Sequence, residues 1–276
     1  MRIAVLKGGD SLERGVSLRS AARIELALTG LGHEAVPVEP GPALVGRLRE
    51  DRPDLAFVAL RGGGEDGTVQ ELLEILEIPY TGPPAAACAR CADRILAKHE
   101  LRAAGVATPD WFALGEAAFR ELGAADALGE LEQRLGFPLM VKPSHGGSSL
   151  GVGLASSWFE VPAALVSAFV YDERVLLERF VAGAELTVGL LGGEVLGTVE
   201  QGVAEVASAA YEALGCAGFA QIALIASGDG PQTIELDPAP DLGESGALPR
   251  AAAAAGIGFE QLIGRIVELA LSPAGA

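Results

Sequence analysis

One pattern, used twice, most constrains how this chain can fold. An apolar strand runs straight into glycines and then into a helix. Ile3 to Leu6 is followed by Gly8, Gly9 and the capping residues Asp10 and Ser11, then by a helical stretch to Gly30 or Gly32. Leu55 to Leu60 is followed by RGGGEDGT, residues 61 to 68, and a helix from Thr68 to Glu77. A wholly apolar strand of this length suits a parallel sheet covered on both faces. With Ala35 to Val38 as a strand, Pro42 to Arg52 as a helix and Ile78 to Thr81 as a short strand, the opening reads as a doubly wound βαβαβ unit. Both glycine loops then lie at the carboxyl edge of the sheet. There backbone N–H groups can hold an anion and ligands bind.

The pattern changes after a helical stretch, Ala92 to Ala104. A helix over Asp126 to Leu135 leads into the strand Leu139 to Lys142, a Gly/Ser loop over 146–153, and strands at Val175 to Val181, Glu185 to Leu191 and Val195 to Glu200. Val203 to Leu214 reads as a helix. Phe219 to Ala226 and Gln232 to Asp237 pair across a Gly-Asp-Gly turn, and Phe259 to Ala270 closes the chain as an amphipathic helix. The expected fold is α/β with α+β elements: an N-terminal doubly wound parallel-sheet domain over 1–86 and two further α+β subdomains over 87–180 and 181–276.

Charge removes several function classes. Lys and Arg number 20 against 37 Asp and Glu, a net −17. No basic surface is left for nucleic acid or an anionic membrane, so neither is expected as a partner. No apolar run is long enough to span a bilayer, and MRIAVLKGG reads as a first strand, not a signal peptide. Cys88, Cys91 and Cys216 are sparse and odd in number, which fits a reducing, cytoplasmic setting. The CxxC of Cys88 and Cys91 lies in an alanine-rich helical stretch and reads as two small buried residues.

Three more segments carry candidate chemistry. In VKPSHGGSSLGVG, Lys142 ends a strand ahead of a Gly/Ser loop that includes Gly147, Ser148 and Ser149. Such a loop can fold over phosphates while the lysine supplies a point charge. His145, inside it, reads as solvated. In LLERFVAGAELTV, Glu178 and Glu185 flank a turn between strands; they are either acceptors for a nucleoside or solvated strand ends. In QTIELDPAPDLGESGALP, Glu235 and Asp237 stand at i and i+2 and share one sheet face, a credible Mg²⁺ pair.

Taken in order, GGDSLERGVSL, GGEDGTVQ, PYTG, VKPS with GSSLGVG, LLERFVAGAELTV and IELDPAP resemble the D-alanine–D-alanine ligase family of the ATP-grasp superfamily over nearly the whole chain. The resemblance implies an ATP-grasp fold with a nucleotide cleft between the second and third subdomains. It implies ATP and Mg²⁺ as cofactors, an amino-acid substrate, a role in peptidoglycan biosynthesis, and leaves a homodimer open. Glu13 matches the acid that binds the first substrate's amino group, and Ser149 its hydrogen-bonded serine. Lys142 matches the phosphate lysine. Glu178, with backbone at Arg179 and Val181, matches the adenine site, and Glu185 the ribose site. Glu235 matches the acid that bridges two Mg²⁺ ions.

The departures cluster at the chemistry. Arg94 replaces a lysine, and Arg61 a histidine, in a loop one residue shorter than the family's. Gln221 and Ala223 stand where the family has an arginine and a metal-binding aspartate. Asp237 replaces an asparagine ligand, Asp241 an oxyanion-hole glycine, and Gly246 a serine that holds the second substrate's carboxylate. The tyrosine-bearing ω-loop is missing. A carboxylate at Asp241 would repel a developing oxyanion unless turned away, and an arginine restored at 221 would be expected to pair with it. Two readings stay open: an ATP-dependent carboxylate–amine ligase, or a degenerate homologue that binds nucleotide or a partner.

Overall fold

The alternation of side chains along β1 (Arg2–Leu6) decides how the N-terminal layer is built. Ile3 and Val5 point to one face and Ala4 and Leu6 to the other, and all four are buried. In the computed structural model, which describes residues 1–146 and 150–272, β1 is the central strand of a three-stranded parallel sheet. It lies between β2 (Glu34–Val38) and β3 (Leu55–Val58), with Ile3 opposite Leu55 and Leu6 opposite Val58. Helices α2 (Leu44–Asp51) and α3 (Thr68–Ile75) bury Leu44, Leu48, Val69 and Leu73 against the face of Ala4 and Leu6. The other face is covered by α1 (Arg14–Gly30), which buries Ala21, Ile24 and Leu28 there.

Helices α4 (Ala85–Ala92) and α5 (Arg94–Ala103) follow. They are separated at Asp93, whose backbone is extended at φ −94° and ψ 102°. The Asp93 carboxylate accepts the N–H groups of Ile95 and Leu96, so a strong N-cap ends one helix and starts the next within a single helical sequence pattern.

A second, antiparallel sheet has the order β4-β7-β5-β6. Its strands are β4 (Trp111–Gly115), β5 (Leu139–Pro143), β6 (Gly153–Ala155) and β7 (Arg174–Arg179). Between them run α6 (Glu116–Glu121), α7 (Ala124–Leu135) and α8 (Val161–Phe169), and α7 and α8 bury Leu128, Leu135, Val161 and Leu165 against Leu139, Val141 and Leu177. The third sheet, β11-β10-β8-β9, contains β8 (Ala184–Leu191), β9 (Glu194–Val195), β10 (Phe219–Ser227) and β11 (Gly230–Asp237). Helix α9 (Gln201–Ala213) packs Val203, Ala207 and Ala210 on Val188, Leu190 and Ile222. Helices α10 (Ala247–Ala254) and α11 (Phe259–Leu271) end the described chain.

The structure departs from the sequence expectation in three places. The strand expected over Val195 to Glu200 pairs only at β9, and the short strand Ile78 to Thr81 is a single bridge, Ala56 to Tyr80. The α11 side chains Ile263 and Ile266 return to the N-terminal sheet and join the cluster of Ile3, Leu55 and Phe57. The last helix thus completes the first layer, which the amphipathic pattern of α11 alone does not reveal. Among the described residues no helix is long and apolar enough to cross a membrane.

Candidate functional site

The two glycine loops lie against each other because the residues around them hydrogen-bond. Ser17 Oγ accepts the Gly8 N–H and donates to the Ala59 carbonyl, which ties the start of α1 to the end of β3. Ser11 Oγ donates to the Arg61 carbonyl at 2.6 Å and accepts the Glu13 N–H. The approach needs glycine. Gly62 has φ +69°, and a Cβ there would sit 2.7 Å from Ser11 Oγ and 3.0 Å from Glu13 Oε2.

These loops form one wall of a cavity of about 720 Å³, within the usual size of a small-molecule site. The facing wall is the end of β11 and the middle of β10. In register, Gln221 lies opposite Asp237 and Ala223 opposite Glu235. His145 and Gly146 close one side. Of the expected site residues, Glu13, Arg61, Gln221, Glu235 and Asp237 meet in this cavity. Gly147, Ser148 and Ser149 lie outside the described residues.

Guanidinium groups neutralise both acids of β11. Arg94 Nη2 donates to Glu235 Oε1 at 3.1 Å, while Nη1 donates to the Pro143 carbonyl at the end of β5. Arg61 Nη1 donates to Asp237 Oδ2 at 2.8 Å and to the Ala239 carbonyl. Burial works against the Arg61 charge, but Asp237, Glu65 and Glu13 outweigh it and hold the pKa above its ordinary value. Glu65 is pushed up to about 7. Burial dominates, and Asp237 and Glu13 add to it against the pull of Arg61. Burial likewise raises Glu235, opposed by Arg94 and Lys142.

For a divalent ion, therefore, the donors do not form a closed protein site. Among the described residues no group of three acids, histidines or cysteines converges on a point. Ala223 supplies no ligand opposite Glu235, and Asp237 is engaged by Arg61. The set fits one ion brought in on a phosphate group, with Glu235 as the carboxylate near it.

A second charge cluster lies beside the cavity and does not line it. Lys142, on β5, donates to Glu178 Oε1 at 2.7 Å, and Lys98, from α5, pairs with Glu178 Oε2. Glu178 and Lys98 are each 2% exposed and Lys142 is 11% exposed. Burial opposes ionisation of Glu178, but the two ammonium groups win and lower its pKa. One carboxylate cannot balance two lysines. Burial therefore outweighs Glu178 at Lys98 and draws its pKa down to about 8. Lys98 escaped the sequence reading. Its only signal is the i,i+4 spacing from Arg94, which places two cations on one face of α5. Arg179 and Glu185 are exposed and Val181 is half-buried on the neighbouring strand ends.

Two expectations about the loop after β11 meet a different geometry. Asp241 turns away from the cavity: its Oδ1 accepts the Ser20 hydroxyl at 2.6 Å and the Gly243 N–H at 2.8 Å. An arginine at 221 would therefore face Asp237, its register partner, and not Asp241. Gly246 is buried, caps α10 and does not line the cavity, and a Cβ there would lie 2.0 Å from the Asp241 carbonyl oxygen. Gly246→Ser is expected to destabilise the chain by about 1–3 kcal/mol through overpacking, read as a lowered melting temperature. An unchanged melt would show that the loop yields freely.

The chain is similar to known proteins over nearly its whole length. A family model described as D-ala D-ala ligase C-terminus matches residues 101–202 and 194–268. The D-alanine–D-alanine ligase of Moorella thermoacetica is 34% identical over 310 aligned positions, covering 99% of this chain and 100% of that one. That of Desulforudis audaxviator is 37% identical, covering 98% of each. The crystal structure of D-alanine–D-alanine ligase from Bacillus anthracis has a TM-score of 0.88 at 31% identity, over 98% of this chain and 97% of that one. The same enzyme complexed with ATP has a TM-score of 0.86.

Proposed function

The chain belongs to the D-alanine–D-alanine ligase family, and from that premise we propose that it is an ATP-dependent carboxylate–amine ligase. The substrate class is a small amino acid and the setting is the cytoplasm. ATP phosphorylates the carboxylate of the first substrate; an amine then attacks the acyl phosphate, an amide forms and phosphate leaves.

One observation carries this reading. The cavity faces Glu13 and Arg61 of the parallel sheet's loops toward Gln221 and Glu235 of the third sheet, with Arg94 at the start of α5 and Lys142 near the end of β5 beside it. Glu13 offers a carboxylate to a substrate ammonium group. Arg94 already joins β5 to Glu235 and is placed to orient phosphate oxygens, as is Lys142 once it leaves Glu178. Gln221 offers a neutral donor beside Asp237, where the reacting carboxyl would develop charge. Mg²⁺ would neutralise charge on the ATP phosphates, with Glu235 as the carboxylate nearest to them. All three cysteines are free, which fits a reducing compartment.

Lys142→Ala gives a clean test. It leaves Lys98 and Glu178 as a balanced pair, so the fold should tolerate it. ATP with Mg²⁺ at about a hundredfold its Kd stabilises a native state by about 2.7 kcal/mol. The unmutated chain should show an upward shift in melting temperature of several degrees, and Lys142→Ala should lose most of it. No shift at millimolar ATP in the unmutated chain would end the nucleotide reading.

A further inference from the structure

Among the described residues around the cavity, Arg61 joins the most charges. Its Nη1 donates to Asp237 Oδ2 at 2.8 Å and to the Ala239 carbonyl, and lies 3.7 Å from Glu65 Oε2. Its Nη2 lies 3.5 Å from Glu13 Oε1. The side chain is only 13% exposed. Three carboxylates and a carbonyl, drawn from the loops of the parallel sheet and the end of β11, surround one guanidinium, although the acids do not converge on a single point. Oxygen donors of these types are the ones hard divalent cations take. Here the chain supplies the cation itself, on a side chain that stays charged throughout the working pH range.

The neighbouring strand is consistent with this. Gln221 and Ala223 of β10 stand opposite Asp237 and Glu235, and neither carries a charge. The β10 face therefore adds no carboxylate to attract or hold a further ion. The second acid of β11, Glu235, shares its charge with Arg94 and remains 35% exposed toward the cavity.

We infer that Arg61 is a resident cation that takes the place of a second divalent metal, leaving the cleft to bind only the ion carried on nucleotide phosphates. The inference rests on the nucleotide-binding reading above. It makes Asp237 the anchor of a positioning residue and not a metal ligand. It also fixes the span between the N-terminal loops and β11, because one guanidinium holds Glu13 and Asp237 together. A metal ion could rearrange its ligands as phosphate is transferred, whereas the planar fork of Arg61 offers directed N–H groups and a single positive charge.

The test counts metal and does not depend on turnover. The full chain is equilibrated with a non-hydrolysable ATP analogue and Mn²⁺. Bound Mn²⁺ is read by electron paramagnetic resonance and bound nucleotide by equilibrium dialysis. The unmutated chain should hold one Mn²⁺ per bound nucleotide. R61Q, which keeps hydrogen-bonding capacity but removes the charge, should hold two. R61K keeps the charge and should stay at one, as should D237A. Two Mn²⁺ per nucleotide in the unmutated chain would overturn the inference while leaving nucleotide binding intact. So would a count of one in folded R61Q. The unmutated count needs no variant, so it decides even where R61Q fails to fold. Absence of bound nucleotide would remove the underlying reading and the inference with it.

Discussion

Glu178→Gln should lower the stability of this chain by about 3–5 kcal/mol, the cost of leaving buried charge without its partner. Glu178 holds both Lys98 and Lys142 in a setting where the carboxylate and Lys98 are each 2% exposed. The glutamine retains the shape but keeps one acceptor oxygen and turns its NH₂ toward the other ammonium, so the loss reports the charge together with one hydrogen bond. At about 2–4 °C per kcal/mol for a chain of this size, the melting temperature should fall by roughly 10 °C. Lys142→Ala, which removes one of two competing ammonium groups, should cost far less. The contrast between two substitutions at one cluster separates charge imbalance from lost packing.

The same cluster sets a pH signature. The Glu178 pKa is lowered on folding, so its contribution is present above the ordinary carboxylate value and is lost as pH falls through the folded value. Lys98 is also lowered, from 10.5 to about 8. For that group the unfolded chain binds more protons between these values, so stability should rise as pH climbs through this range. The penalty of Glu178→Gln should shrink as pH rises toward about 8 and change little above it, because without Glu178 the Lys98 ammonium gives up its proton at lower pH. Denaturant melts of both chains at acid, neutral and alkaline pH check this. A penalty below about 1 kcal/mol at neutral pH would match an exposed pair and refute the buried one.

The sequence revealed local features well and distant contacts poorly. The strand–glycine–helix junctions at Gly8 and Gly62 could be read because φ preference and apolar runs act over a few residues. Glu235 and Asp237 could be placed on one face because a strand alternates with period two. The Arg61–Asp237 contact spans 176 positions, and no local pattern records it. Glu178 was readable as a strand-end acid, either solvated or an acceptor for a nucleoside, and not as the partner of two lysines. Val175 and Leu177 are buried under α7 and α8, whereas Leu176 packs on Ile95 of α5 and Glu178 meets Lys98 on that same helix. Asp241 could be aligned but not oriented. Its carboxylate is fixed by Ser20, on a helix at the other end of the chain.

Converting the cleft toward D-alanyl-D-alanine synthesis should require several changes together. The unmutated chain is expected to make the dipeptide slowly. Gln221 offers a donor without charge, and Ala223 leaves Glu235 without a neighbouring carboxylate across the ladder. Gln221→Arg alone would bring a second guanidinium to Asp237, which Arg61 already holds at 2.8 Å. The two cations would repel, so the single change should gain less than about tenfold. Ala223→Asp alone adds negative charge beside Glu235 without freeing Asp237. R61H releases Asp237, and Q221R then has a partner of its own while A223D completes an acidic set with Glu235. The triple variant R61H/Q221R/A223D should raise dipeptide formation by roughly 10²–10³, the usual value of one preorganised oxyanion donor. These groups act on one developing charge, so the three single effects should not sum to the triple. Asp241→Gly should leave the rate unchanged, because that carboxylate serves Ser20 and the Gly243 N–H outside the cavity. Phosphate release and dipeptide are measured side by side in the unmutated chain, each single variant and the triple. Equal rates in the unmutated chain and the triple would refute the argument, and a single change that matched the triple would remove the coupling through Asp237.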